Sequence, residues 1–176
     1  MWSRNLTFVE NNPIRLGGPH VIVQIDETKL NHNVKSHRGR GPIRAIVDTF
    51  TQPVKGFATM IPDRRAEAII PIIESVVHPW SIIHTDEAKA YRALGESLQN
   101  YEHSTVCHKY NFVDSVTGVH TQHVESWNNK IKTQIKDMRG MDEDNRSNML
   151  SEFIFFGHFK NSTFEQILLL LQVDIS

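Results

Sequence analysis

A single cysteine, Cys107, in 176 residues excludes an internal disulfide, and with it the small secreted scaffolds that replace a core by crosslinks. Long hydrophobic runs are also missing. The longest aliphatic one, residues 167–171, falls far short of the roughly 20 residues needed to cross a bilayer, and the N-terminus lacks the basic-then-apolar order of a secretory signal. Neither sign of charge dominates: 19 Lys and Arg against 20 Asp and Glu give a net charge of -1, which excludes nucleic-acid binding through overall charge alone. Repeats and low-complexity tracts are absent, so solenoid and linker architectures are excluded. These absences lead us to expect one intracellular domain with no membrane segment, nuclear in a eukaryote and cytoplasmic in a bacterium.

The hydrophobic fraction of 39% with 22% charged residues suits a globular chain with one sizeable core. Its charge is unevenly spread. Residues 29–44 hold Lys29, Lys35, Arg38, Arg40 and Arg44 and no acid. Lys130, Lys132 and Lys136 recur at helical spacing, and Asp142, Glu143 and Asp144 form an acidic turn soon after. Such runs are ordinarily solvated faces. Lys35, Arg38, Arg40, Lys130, Lys132 and Lys136 become candidates for phosphate contacts because they lie just beyond the carboxylates described below.

β-branched content predicts strands over residues 21–26, 43–47, 56–61, 81–85 and 104–108, the first three as an antiparallel meander. The intervening HRGRGP segment, with Gly39, Gly41 and Pro42, must be a loop. Residues 64–77 have a helix pattern, with Asp63 as its cap, Ala68, Ile69, Ile72, Ile73 and Val76 as its apolar side, and Pro71 kinking it or delaying its start. A short helix is predicted over 87–94. A long one follows at about 121–138 on Val124, Trp127, Ile131, Ile135 and Met138, and a last helical region uses Met149, Leu150, Phe153, Ile154, Phe156 and Phe159, continuing through Phe164 and the leucine run. This order is that of an α/β, RNase H-like fold: a mixed five-stranded sheet flanked by helices, with a short second strand. We expect residues 1–20 to be a lead-in, 21–140 the domain built on this sheet and 141–176 a C-terminal helical extension packed on it.

In that topology the first and fourth strands are parallel neighbours. Asp26 closes the run VIVQID, Asp86 closes SIIHTD, and Glu125 lies in the helical TQHVESWNNKIK. Two strand-borne aspartates and one helix-borne glutamate would make an all-oxygen pocket, suited to two hard divalent ions roughly 4 Å apart. Each acid also has an ordinary role open to it: a strand end for Asp26, a helix cap for Asp86, a surface position near a helix start for Glu125. Period-two alternation puts Asp26 and Glu27 on opposite faces, so only one enters a shared site. We choose Asp26. His84 shares a strand face with Asp86, and His120 and Thr121 precede the long helix; all three are candidate supporting residues. Cys107 with His103 and His108 point in several directions, and incidental placement is favoured over a zinc site.

The strings LGGP, QIDETK and RGRG, then IPDRRAEAIIPIIE, HTDEAKAY and NFVDSVTGVHTQHVESWNNKIK, in this order, resemble the catalytic domain of insertion-sequence-type DDE transposases, the group whose animal relatives are called Merlin elements. The resemblance implies an RNase H-like nuclease core and a DDE triad falling on Asp26, Asp86 and Glu125. It further implies two Mg²⁺ ions per site with Mn²⁺ as substitute, DNA as partner (transposon ends and target), and a homodimer. His120 and Thr121 match the family string. The chain departs from the pattern in a shortened second strand, in Asn128 where a tryptophan is expected, and in Gln134 and Asp137 where basic residues are expected. A DNA-targeting region N-terminal to Met1 would also be expected. The leading reading is metal-dependent cleavage and transfer of DNA strands, in a truncated or host-retained copy. A second reading is an inactive DNA-binding or protein-interaction module, and a third is an RNase H-like ribonuclease.

Overall fold

The computed structural model describes residues 13–28, 43–49, 51, 54–63, 65–86, 91, 100–106, 118–138 and 143–159. Five strands, β1 (Ile22–Thr28), β2 (Ile43–Asp48), β3 (Gly56–Met60), β4 (Ile82–Asp86) and β5 (Glu102–Val106), form one sheet in the order β3-β2-β1-β4-β5. The described helices are α1 (Ala66–Val76), α2 (Gln122–Asp137) and α3 (Glu143–Phe159). β1, β2 and β3 make the expected antiparallel meander, and β1 pairs in parallel with β4 on its other edge. β5 adds in parallel outside β4. This is the mixed sheet with flanking helices of an RNase H-like α/β fold. Among the described residues, no helix is long and apolar enough to cross a membrane.

Period-two alternation divides the core between the two sheet faces. Val23 and Ile25 of β1, Ile46 of β2 and Ile83 of β4 pack with Ile69, Ile73 and Val76 of α1 and with Tyr91. Ala45 and Val47 of β2 and Ala58 of β3 point the other way, against Val124, Trp127, Ile131 and Ile135 of α2 and Met149, Leu150 and Ile154 of α3. On this second face β1 begins with Ile22 and is polar from there on: Gln24, Asp26 and Thr28. Beyond Ile22, the face of this central strand on the side of α2 is therefore polar.

Several boundaries differ from expectation. β1 does not end at Asp26: its antiparallel pairing continues through Asp26↔Ala45, Glu27↔Arg44 and Thr28↔Ile43. β2 reaches Asp48 and pairs with β1 at six positions. β5 begins two residues before the expected Ser104. Asp63 does not cap α1 directly; its carboxylate accepts from the Arg65 backbone N–H at 2.9 Å and from the Arg65 guanidinium, and the helix starts at Ala66. α1 runs through Pro71, whose missing donor releases the Glu67 carbonyl on an exposed face where water can serve it. Met138 and Phe156, expected in the apolar stripes, are each 39% exposed, whereas Phe155 is fully buried. Of the helix predicted over 87–94 only Tyr91 is described, and residues 160–176 lie outside the described set.

The LGGP segment packs onto the sheet. Leu16 is buried and bridges Val77, with its N–H donating to the Val76 carbonyl and its carbonyl accepting from His78. Gly17 has φ +79°, and a Cβ there would collide with Ser81 Oγ, so the turn needs glycine. A second close approach lies across the sheet at Gly56, where an added Cβ would stand 2.7 Å from Cε2 of Trp127. Gly56→Ala is therefore expected to lower stability by about 1–3 kcal/mol through overpacking, read as an earlier midpoint in urea with unchanged slope.

Candidate active site

The two aspartates lie where the central strands part. Parallel pairing of β1 with β4 covers Ile22↔Ile82, Val23↔Ile83 and Gln24↔His84; beyond it β1 stays with β2 while β4 stays with β5 as far as Asp86↔Val106. Continuing the β1–β4 register by two residues brings Asp26 level with Asp86, on the sheet face that also carries Gln24 and His84. The crevice between diverging parallel strands is a common place for chemistry in α/β sheets.

Electrostatics reflects this proximity. Burial, then the charges of Asp86 and Glu27, push the Asp26 carboxyl up to about 6, while hydrogen bonds from Asn128 and from the Glu27 backbone oppose the rise. The first of these runs from Asn128 Nδ2 to Asp26 Oδ2 at 2.9 Å and joins α2 to β1. Asn128 is itself buried, and its Oδ1 has no hydrogen-bond partner among the described residues. Glu27 points to the opposite face, where it accepts from the Tyr91 hydroxyl.

Glu125 stands on α2 one turn before Asn128, so the two share a helix face. Its Oε1 accepts from the Thr121 hydroxyl at 3.0 Å. Thr121 occupies the N-cap position, but its side chain does not cap the helix. The first-turn N–H groups of His123 and Val124 instead donate to Gln24 Oε1 at 2.9 and 3.1 Å, and Gln24 Nε2 meets His120 Nδ1 at 3.2 Å. His84 is buried beside Gln24, and its Nδ1 lacks a partner among the described residues; burial lowers its pKa, and a hydrogen bond with the His120 backbone works the other way. Burial and the neighbouring His123 likewise hold His120 below the ordinary histidine range.

Asp26, Asp86, Glu125, Thr121, His120 and His84 thus belong to one region between β1, β4 and the start of α2. Among the described residues, no group of three or more His, Cys, Asp or Glu side chains is drawn together tightly enough to hold a metal ion. Lys130, Lys132 and Lys136 are exposed on α2. Lys35, Arg38 and Arg40, together with Cys107 and His108, lie outside the described residues. Two residues here were not among the expected site residues. Gln24 could have been found as a polar residue in an otherwise aliphatic run, two positions before Asp26; Asn128 could have been found by its helical spacing from Glu125.

The donor chemistry suits a hard divalent cation: Asp26 is raised partly by the charges of Asp86 and Glu27, which is the situation a cation relieves, and carboxylate oxygens are of the type Mg²⁺ accepts.

A family model described as the ISXO2-like transposase domain matches residues 11–155. A search of curated proteins gave no match. Among solved structures, the chain is similar to one in the simian T-cell lymphotropic virus intasome in complex with PP2A regulatory subunit B56 gamma, with 24% identity over 78% of this chain and a TM-score of 0.47; it spans 49% of that chain, about half its length. It is also similar to the HTLV-2 integrase catalytic core domain in complex with magnesium in its trimeric form, with 18% identity, 81% of this chain and 87% of that one covered, and a TM-score of 0.47. For the catalytic core domain of BIV integrase the values are 20%, 76%, 81% and 0.47.

The raised Asp26 has a signed consequence in metal-free protein. Between 3.8, its ordinary value, and about 6, the folded state holds a proton that the unfolded state has released, so stability falls as pH rises through this window. Asp26→Asn removes that penalty. It is expected to gain about 1–3 kcal/mol in urea unfolding at pH 7.5 with chelator present, the gain shrinking below pH 6 and vanishing by pH ~4, where both states are protonated.

Proposed function

From membership in the ISXO2-like transposase domain family, to which this chain belongs, we propose that it performs divalent-metal-dependent cleavage and transfer of DNA strands. The observation that carries the reading is the electrostatic coupling of Asp26 to Asp86 at the parting of β1 and β4, with α2 tied to Asp26 through Asn128 one turn beyond Glu125. Residues 21–140 are the catalytic domain in this reading, with 1–20 as lead-in and 141–176 as its extension.

Asp26, Asp86 and Glu125 would hold two Mg²⁺ ions, with Mn²⁺ as substitute. When bound, such a pair would supply activation of a water or a DNA 3′-hydroxyl and charge stabilisation for the departing 3′ oxygen. The protein's own groups orient this arrangement. Asn128 donates to Asp26 and fixes the plane of its carboxylate, while the Thr121 hydroxyl fixes that of Glu125. His120 and His84, both held toward the neutral form, offer imidazole nitrogens beside the carboxylates without adding positive charge that would compete with a cation. Lys130, Lys132 and Lys136, together with Lys35, Arg38 and Arg40, would contact phosphates and position the backbone without reading sequence. Two copies acting as a homodimer would serve two transposon ends.

The test is cleavage of labelled duplex, pre-nicked and single-stranded DNA, with RNA alongside, in Mg²⁺, Mn²⁺ or chelator. Metal-dependent DNA product is expected from the wild type, falling to background in Asp26→Asn and Asp86→Asn proteins that remain folded. Binding without metal-dependent product would establish the inactive module instead, and preferential RNA cleavage the ribonuclease. Replacing Lys130, Lys132 and Lys136 together by Ala is expected to flatten the log–log dependence of duplex binding on salt by roughly 2–3, at about 0.9 for each phosphate no longer neutralised.

A further inference from the structure

Gln24 is a fully buried amide in the central strand of the sheet, and its side chain bonds at three points to one short segment, at His120, His123 and Val124. The first N–H groups of a helix have no partner within it and normally take one from the N-cap side chain. In α2 the Thr121 hydroxyl is instead engaged with Glu125. Gln24 does the capping from another element: its Oε1 accepts from His123 and Val124, which immediately precede Glu125 in the chain. With that oxygen fixed by two donors, the amide NH₂ must be what meets His120 Nδ1. An amide NH₂ can only donate, so Nδ1 accepts and the His120 proton resides on Nε2.

Gln24 and Asp26 are two residues apart on one strand and share a face. One turn along α2, Asn128 makes the second tie, to Asp26 itself. The two ties bracket Glu125 between them. We propose that Gln24 is a positioning residue of the site: its side-chain amide clamps the start of α2 to β1, setting Glu125 opposite Asp26, and holds His120 in its Nε2–H form. The consequence for metal binding rests on the metal-dependent reading above; the clamp itself does not.

The experiment uses the full chain with Mn²⁺ as probe, and compares wild type with Gln24→Leu, which keeps the bulk and removes the acceptor, and Gln24→Glu, whose carboxylate accepts both N–H bonds and suits a helix N-terminus. Val76→Ala, a buried change under α1 on the opposite face, serves as the control for lost stability. Mn²⁺ affinity is read by electron paramagnetic resonance, the amides of His123 and Val124 by hydrogen exchange, and the His120 tautomer by ¹⁵N chemical shift. Gln24→Leu is expected to speed exchange at both amides and to weaken Mn²⁺ binding about 10–100-fold, as loss of an outer-shell partner does; Val76→Ala leaves both unchanged. Gln24→Glu is expected to restore slow exchange and Mn²⁺ affinity while moving the His120 proton to Nδ1, because a carboxylate can only accept.

Wild-type Mn²⁺ affinity in a folded Gln24→Leu protein that has lost protection at His123 and Val124 would overturn the positioning role. Should Gln24→Leu not fold, Gln24→Glu decides alone: an unmoved His120 proton or unprotected amides overturn the clamp. Wild-type protein that binds no Mn²⁺ overturns the metal reading and the affinity consequence, while the exchange and imidazole readouts still judge the clamp.

Discussion

A polar side chain beneath a packed helix must find its partner there, because a buried donor or acceptor left unmatched costs about 1–3 kcal/mol. β1 places Gln24 and Asp26 in that position. The position of α2 follows from how they are satisfied: Gln24 takes the helix start and Asn128 comes back to Asp26. The apolar contacts of Val124, Trp127, Ile131 and Ile135 with the sheet supply the bulk of the burial, but they are non-directional. Direction comes from the polar ties. Gly56 completes the arrangement by letting the Trp127 ring lie against β3 where any side chain would hold it off.

The same strand explains why charge is tolerated at the site. Asp26 is flanked by Asp86 and Glu27, and what favours its ionised form is hydrogen bonding, from Asn128 first and then from the Glu27 backbone. An isolated domain would be more stable with that carboxylate absent or neutral. A strand that keeps an unfavourable carboxylate under a helix, where a hydrophobic residue would fit the layer, shows the conflict between local stability and arrangement that is concentrated at functional sites. Asn128 is at its centre: one end eases the charge on Asp26, and the other is a buried oxygen without a partner among the described residues.

The topology was legible in the sequence because β-branched runs and amphipathic helices state their period directly. The parallel β1–β4 pairing and the Val124, Trp127, Ile131 and Ile135 stripe of α2 agree with the structure, whereas Met138, expected to close that stripe, is an exposed C-cap residue. Boundaries were less legible where tertiary pairing sets them. β1 continues past Asp26 because β2 continues beside it, which no property of VIVQID announces. In α3 the run EFIFFGHF presents aromatic residues all round, so period alone could not say that Phe155 would be buried and Phe156 exposed. At the site, the acids and Thr121 stood out through motif and spacing. Gln24 did not, since an amide in a strand carries no charge, and standing as a polar residue in an aliphatic run says nothing of what it bonds to; only the helix arriving over it gives it a role.

The ties around Glu125 join residues separated by 99, 100 and 102 positions. Contacts that close such long segments bear a large loop entropy and form after local helices and hairpins have made closure worthwhile. The meander of β1, β2 and β3 is local by comparison and contains just one of the three acids. During synthesis from the N-terminus, the chain would therefore carry Asp26, and later Asp86, for as long as α2 had yet to emerge, and a nascent chain at that stage has no third carboxylate to offer. In this architecture the meeting of the three acids and the closure of the longest polar ties depend on the same event, the docking of α2.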